Sequence, residues 1–426
     1  MPLSRCLPRL ARALCGIVLC AAAAGACGRA LLADDGFPVE RRKDQFPSEP
    51  LYLALPIPYS LAGIGSGWAL TLYEANYGFY HRAYLIAVEG EAQGVIFGLS
   101  QAALIPRHLL FELYDEHIGK FTVNEYTQRG MNTTKNDYDL VQGTEDYYTV
   151  RLIGTFWERR FEVYAEADQG EDRISKVLTN SGTLISEFAR PEKFYFTSTA
   201  GNVLFDLTDD FFDPRRGVRL NAQLTDAPPQ DATRPDYYVV TTSLFAYLPV
   251  GHQSTIAITG FQSDAYVRKA GLTNVAELTA LNYQGCAPSD AACRAGQTSL
   301  VNNQLAANTH GTSQPLGGQS YLRAYPRDRF QGAHTLYAAA EFRWNLTDEF
   351  TPFDYWFFKG VRTGIQVAPF WETGSVSETS GSLGRRWRSD VGIGLRIITA
   401  SGAVYRADVA TGDEGAATTI IFDYPW

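Results

Sequence analysis

The chain has 426 residues, 45% of them hydrophobic, with 24 Tyr, 24 Phe, 38 Gly and only 2 Met, a profile that favours strands and turns over helices. Its formal net charge is −9 and it has no long Lys/Arg stripe, which excludes a general nucleic-acid binder because phosphates would meet no matching surface. The short basic clusters ERRK and GRRWR read as turn or loop charges.

At the N-terminus Arg5, Arg9 and Arg12 precede an apolar stretch from Ala13 to Ala26 that ends in small residues. It is shorter than the ~20 residues of a membrane helix. Residues 1–26 therefore read as a secretory signal peptide. Ala24-Gly25-Ala26 fits a cleavage site, and a cut there leaves Cys27 first. That opens a lipoprotein reading, although Ala24 stands where such signals usually carry Leu. A cut after Ala33 would remove Cys27. Residues 27–50 are polar, rich in Pro and charge and without periodicity, and are expected to form an extended periplasmic tether. Cys6, Cys15, Cys20 and Cys27 lie in or beside the signal, which leaves Cys286 and Cys293 in the body. A cysteine pair in a loop of an exported protein reads as a disulfide. No His or second cysteine pair stands near enough to suggest a metal.

From Leu51 no apolar run approaches the length of a membrane helix. Segments of roughly ten residues with period-two alternation follow one another instead, which is the pattern of a transmembrane β-barrel. In lipid every backbone group must be paired, and strands achieve that only in a closed sheet. A soluble sandwich or propeller also alternates, but the signal peptide and the aromatic richness weigh against it. At ~20–25 residues per strand and connection, the chain from Leu51 to Trp426 yields about 16 antiparallel strands, so residues 51–426 are expected to form one all-β outer-membrane barrel. The stretch FYFTSTAGNVLFDLTDDFFDPRRGVRLNAQLT reads as strand, tight turn, strand, shaped by Pro214 and Gly217. YYVVTTSLFAYL and STIAITGFQSDAYV form the next hairpin. A segment from about Arg268 to Gln331 then reads as a long loop, far beyond usual connection lengths and therefore functional. Strands are expected near 334–346, 360–372, 388–400, 402–411 and 416–426.

Several motifs in the second half carry a family resemblance. Leu322-Arg323-Ala324-Tyr325 resembles the loop motif of the BamA/TamA outer-membrane assembly superfamily, the bacterial surface antigen family, with Ala324 in place of Gly. DDFFDPRRGVRL, with Asp213, Pro214 and Gly217, resembles its Asp-to-Pro-x-x-Gly hairpin. FWETG, from Phe370 to Gly374, resembles its Phe-x-Asp-x-Gly strand end, with Glu372 for Asp. AEFRW and GIGLR stand where family strands carry similar residues. The resemblance covers most of residues 200–426 in order and 51–200 more loosely. It implies that the long extracellular loop folds into the lumen, with Arg323 docking on the wall at Glu372. A guanidinium suits that task because it stays charged and pairs bidentately with carboxylate. Ala324 departs from the pattern where Gly could supply a positive φ. Tyr424 and Trp426 resemble the C-terminal signal by which the barrel assembly machinery folds outer-membrane proteins, with Thr419 at its polar start and Ile421 where Gly is usual. An interfacial aromatic belt would account for the same residues.

Assembly and secretion members of that family carry periplasmic POTRA domains. The short tether here points to a barrel-only member, with any client delivered by a separate periplasmic partner or lipoprotein. The resemblance implies an insertase or translocase in a Gram-negative outer membrane, in contact with its lipid, working through a lateral seam and a loop-gated lumen. A passive or loop-plugged pore would use the same features. A lipid-modifying enzyme needs a nucleophile, base and orienter. His81, His108, His117, His252, His310 and His334 sit in no nucleophile motif, GIGSGW is a turn-like Gly run rather than a phosphate loop, and Asp115-Glu116-His117 reads as a loop cluster. No catalytic residue, metal site or cofactor is expected. The client and any homo-oligomer stay open.

Overall fold

The computed structural model describes residues 45–46, 50–251, 253–283, 285–286, 289, 291–347, 352–355, 358–399 and 404–422. Residues 1–26, expected as a signal peptide, Cys27, most of residues 27–50, expected as a tether, and Tyr424 and Trp426 lie outside the described residues.

Sixteen antiparallel strands close into a barrel. They begin with β1 (Leu51–Leu61), β2 (Gly65–Ala75), β3 (Arg82–Gly90), β4 (Gln93–Ile105) and β5 (Leu109–Tyr126). β6 (Tyr138–Phe156), β7 (Phe161–Thr179), β8 (Leu184–Asp206), β9 (Gly217–Ala227), β10 (Asp236–Val250) and β11 (Ser254–Lys269) continue the order. β12 (His334–Asn345) pairs directly with β14 (Phe358–Ser377), and the short β13 (Pro352–Tyr355) forms a separate hairpin at the foot of β14. β15 (Arg388–Thr399), β16 (Val404–Gly412) and β17 (Gly415–Phe422) complete the circuit back to β1. β1 starts and β17 ends at the same rim, called here the terminal end. The long β11–β12 connection emerges at the opposite rim, the loop end.

The barrel is inverted relative to a soluble protein. On β15 the exposed positions are Val391, Ile393, Leu395 and Ile397, while Asp390 and Arg396 on the alternate positions are buried. On β2 Trp68, Leu70 and Leu72 face out and Thr71 and Tyr73 face in. An apolar exterior over a polar interior is stable only against lipid. Exposed Tyr77, Phe79, Phe156, Trp157 and Phe205 gather at the terminal rim, where amphipathic rings suit a membrane interface.

The wall is uneven. β5 to β8 have 18, 19, 19 and 23 residues, whereas β1, β16 and β17 have 11, 9 and 8. The tall strands rise above the apolar band. In one register row His117, Asp146, Glu171 and Tyr195 lie side by side, and ion pairs of Arg173 with Asp146 (2.8 Å) and Lys193 with Glu171 (2.8 Å) run along it. That row places Asp115-Glu116-His117 inside β5 and not in a loop, correcting the sequence expectation. Charges are tolerated there because the strand has left the apolar zone.

The long β11–β12 segment is not a plain loop. It contains helices α1 (Val275–Leu281) and α2 (Ala291–His310), and the Cys286–Cys293 disulfide ties the connection between them to the first turn of α2. Asn274 caps α1 by accepting from the N–H groups of Ala276 and Glu277. Asn308 of α2, fully buried, donates to the carbonyls of Thr233 (3.0 Å) and Leu272 (2.7 Å), so the helix is fastened across the loop end. After α2 the chain turns down into the lumen.

A candidate lock between the inner loop and the wall

The descending segment from Leu316 to Phe330 packs against the inner wall and forms, with Tyr337, Phe370 and Val376, the largest apolar cluster inside the barrel. At its tip Arg323 is 1% exposed. Its Nε donates to Glu372 Oε1 (3.1 Å), Nη1 to Asp408 (2.8 Å) and Nη2 to Glu341 (2.9 Å). The Arg323 backbone N–H donates to Glu372 Oε2 (2.7 Å), and the guanidinium carbon lies 3.4 Å above the Phe370 ring centroid. One side chain therefore bridges β12, β14 and β16. A planar cation with five donors spread over a rigid fork suits this; a lysine would bring a compact ammonium without that fork.

The wall supplies its own counter-charges. Glu341 also takes Nε of Arg343 (3.1 Å) and Nη2 of Arg396 (2.5 Å), and Arg406 pairs with Asp408. The group sets four arginines (Arg323, Arg343, Arg396, Arg406) among Glu341, Glu372, Asp390 and Asp408, all nearly inaccessible. Burial by itself lowers the pKa of the Arg323 guanidinium, but Glu372, Glu341 and Asp408 outweigh it and hold the pKa above its ordinary value. Arg323 stays cationic at every pH at which the barrel folds.

Two glycines of the GIGLR stretch clear space for this network. A Cβ on Gly392 would lie 2.2 Å from the Phe370 ring and 2.4 Å from the Val409 carbonyl oxygen. A Cβ on Gly394 would lie 2.2 Å from an Asp408 carboxylate oxygen. Phe370, Glu372 and Gly374 fall within β14, which continues to Ser377, so the sequence expectation of a strand end there is corrected. Gly374 lets Leu316 approach: its Cβ would meet a Leu316 methyl at 2.4 Å.

The rest of the motif is held as firmly. The Ala324 N–H donates to Asp390 (2.7 Å), and the Tyr325 hydroxyl donates to the Ser389 carbonyl (3.2 Å). The positive φ in the motif belongs to Leu322, at 54°, and not to Ala324. Glycine at the Ala324 position is thus not required by the backbone. Ala324→Gly is expected to leave the lock intact and to lower stability by no more than about 1 kcal/mol, through greater freedom of the unfolded chain. Chemical denaturation of the two proteins checks this.

Asp213, Pro214 and Gly217 lie elsewhere, at the terminal end. The connection between β8 and β9 runs over residues 207–216 rather than a tight turn. It is closed by the Asp209 N–H donating to the Arg216 carbonyl (2.9 Å) and by Asp213 pairing with Arg215 (3.0 Å). Gly217 has φ 110°, and a Cβ there would meet the Leu207 carbonyl oxygen at 2.3 Å.

Three features of the lock carried no sequence assignment. Glu341, Asp408 and Arg396 are partners contributed by distant strands. Arg329 makes a second anchor, paired bidentately with Glu414 (2.8 and 2.7 Å) and bonded to the Thr133 hydroxyl (2.6 Å). The β1–β2 turn also reaches the loop. The Arg327 N–H donates to the Ala62 carbonyl (3.0 Å), and a Cβ on Gly63 would lie 2.9 Å from Pro326 Cβ. Residues 323–327 therefore hold the last strands with one hand and the first hairpin with the other.

No family model and no curated protein matches the chain. Among solved structures it is similar to BamA from Haemophilus ducreyi lacking POTRA domains 1–3, at 11% identity over 90% of this chain and 75% of that one, with a TM-score of 0.45. CdiB from Escherichia coli gives 12% identity, 89% and 68% coverage and a TM-score of 0.48. CdiB from Acinetobacter baumannii gives 10% identity and a TM-score of 0.45, and this chain covers 88% of its own length but only 60% of that protein's.

Proposed function

We propose that the chain is a BamA/TamA-type barrel of a Gram-negative outer membrane that assists insertion or transport of proteins through a lateral seam between β1 and β17. The observation that carries this reading is the seam itself. Among the described residues β1 and β17 share a single register pair, Ser60 with Ile420, while β1 pairs with β2 along its whole length. Unpaired strand edges are templates for an incoming strand. Among the described residues β16 and β17, on one side of the seam, are short, at 9 and 8 residues. A short band draws the bilayer thin and lowers the cost of moving polar backbone into it. The lock supports the same reading, because it joins the two sides of the seam through the lumen.

Ser60→Cys with Ile420→Cys tests this. Opposed residues of an antiparallel pair lie ~4.5–5.5 Å apart between Cα atoms, within disulfide range. The cross-linked barrel should fold, and cells that depend on it should lose the same outer-membrane proteins as cells without the chain. A reductant should restore them. An unchanged outer-membrane protein profile with the seam fully cross-linked would rule the seam mechanism out.

A further inference from the structure

The lock occupies the loop half of the lumen, and the terminal mouth has a different occupant. Gln45 and Phe46, from the segment expected to be a tether, are only 1% and 7% exposed. Gln45 Oε1 accepts from the Phe211 N–H (2.8 Å) in the 207–216 connection. The Phe46 ring joins Leu110 of β5 and Ile153 of β6 in one apolar cluster, against which Tyr80, Ala103 and Tyr164 pack. It meets the Tyr80 ring edge-on, with centroids 5.2 Å apart. Ile153 lies on the lumen face, since its neighbour Leu152 faces out. One phenyl ring therefore ties the chain ahead of β1 to the inner face of β4 to β7.

Two guanidiniums stand beside that ring, Arg107 at 5.5 Å and Arg159 at 5.6 Å from its centroid. Both belong to left-handed backbone positions in turns of the terminal end. Arg107 has φ 66° and Arg159 has φ 62°, the latter directly after Trp157 at 51° and Glu158 at 54°. Left-handed backbone is costly for a residue with a Cβ and persists only where its surroundings hold it. Here Arg159 is 1% exposed, pairs with Glu162 (2.6 Å), donates to Gln101 (2.9 Å) and lies 3.5 Å above the Phe211 ring. Arg107 pairs with Glu158 (2.8 Å). The 106–108, 157–160 and 207–216 connections thus build a seat, and the chain itself fills it. Only Pro47-Ser48-Glu49-Pro50 separates Phe46 from Leu51, the first residue of β1, and a proline fixes φ and removes slack. We propose that Gln45 and Phe46 are a latch: seated in the terminal mouth, they hold the start of β1, the first strand of the seam, and β1 is released there only when Phe46 leaves its seat. Arg327 restrains the other end of β1 through Ala62, so the strand is held at both ends.

The folded full-length barrel in detergent serves for the test, with no client present, so the outcome is independent of transport through the seam. Ile153→Cys places a thiol in the Phe46 cluster. Its modification by a small water-soluble thiol reagent is followed by mass spectrometry of the peptide that contains residue 153. Adding Phe46→Ala should speed that modification by about tenfold or more, because the seat is then open. In Phe46→Ala alone, hydrogen–deuterium exchange should quicken at residues 51–55, with β16 and β17 as in the parent, which separates release of the latch from release of Arg323. Heat-modifiable mobility on gels confirms that each variant is folded, and Phe46→Val carries the comparison if Phe46→Ala does not fold. An unchanged modification rate would show that Phe46 does not cover the seat and would overturn the latch. Faster modification with unchanged exchange at residues 51–55, or exchange that rises equally in every strand, would overturn it as well.

Discussion

Arg323→Ala is expected to destabilise the barrel by about 3–5 kcal/mol, the usual cost of removing one partner from a buried ion pair. The cost comes from what stays behind. Asp408 keeps Arg406, and Glu341 keeps Arg343 and Arg396. Glu372 has Arg323 as its one guanidinium among the described residues, and it would be left buried with no cation, held by the Tyr337 hydroxyl (2.7 Å) and the backbone N–H of residue 323 (2.7 Å). Arg323→Lys should recover part of the loss by keeping the charge. Arg323→Ala in a Glu372→Gln background should cost less than the sum of the two single changes, because the two residues share one network. Urea unfolding of the four proteins measures this, and a purely additive result would mean that the contact carries no energy.

Glu341→Ala is expected to cost more than Arg323→Ala. Glu341 receives three guanidiniums, those of Arg323, Arg343 and Arg396, at 2.9, 3.1 and 2.5 Å. Its removal leaves those three buried guanidiniums without the carboxylate they share. Excess positive charge in a confined site cannot be relieved by protonation, since a guanidinium does not give up its proton in a protein. Glu341→Gln preserves shape and one acceptor, so the difference between Gln and Ala separates charge from packing. The same unfolding experiment ranks the variants, and Glu341→Ala falling at or below Arg323→Ala would contradict the account.

The strand pattern was legible because the lipid-facing positions are apolar and the lumen-facing ones are not, as in Val391 to Ile397. Arg323 was legible through the resemblance of Leu322-Arg323-Ala324-Tyr325 to a known loop motif, which implies an arginine docked on the inner wall. Its full partner set was not. Glu341 and Asp408 sit 18 and 85 residues away along the chain, and only barrel closure brings them together. The helix α2 was missed because AACRAGQTSLVNNQLAANTH carries Gly296 and several Asn and shows no apolar stripe. It is held by polar contacts such as those of Asn308, which leave no periodic signal. Asp115-Glu116-His117 misled for a related reason: high polarity suggested a loop, but a strand that rises above the lipid can carry charge on its outer face.

The lock and the seam form one device if the inner loop holds the last strands and the first hairpin together. Arg323 binds β12, β14 and β16, and four residues later Arg327 binds the β1–β2 turn at Ala62. Releasing Arg323 should therefore loosen the seam before any other part of the wall. Hydrogen–deuterium exchange of the folded Arg323→Ala barrel tests this most directly. Faster exchange is expected in β1, β16 and β17, with β5 to β8 still protected as in the parent. Unchanged protection at the seam, or a loss spread evenly over all strands, would contradict it.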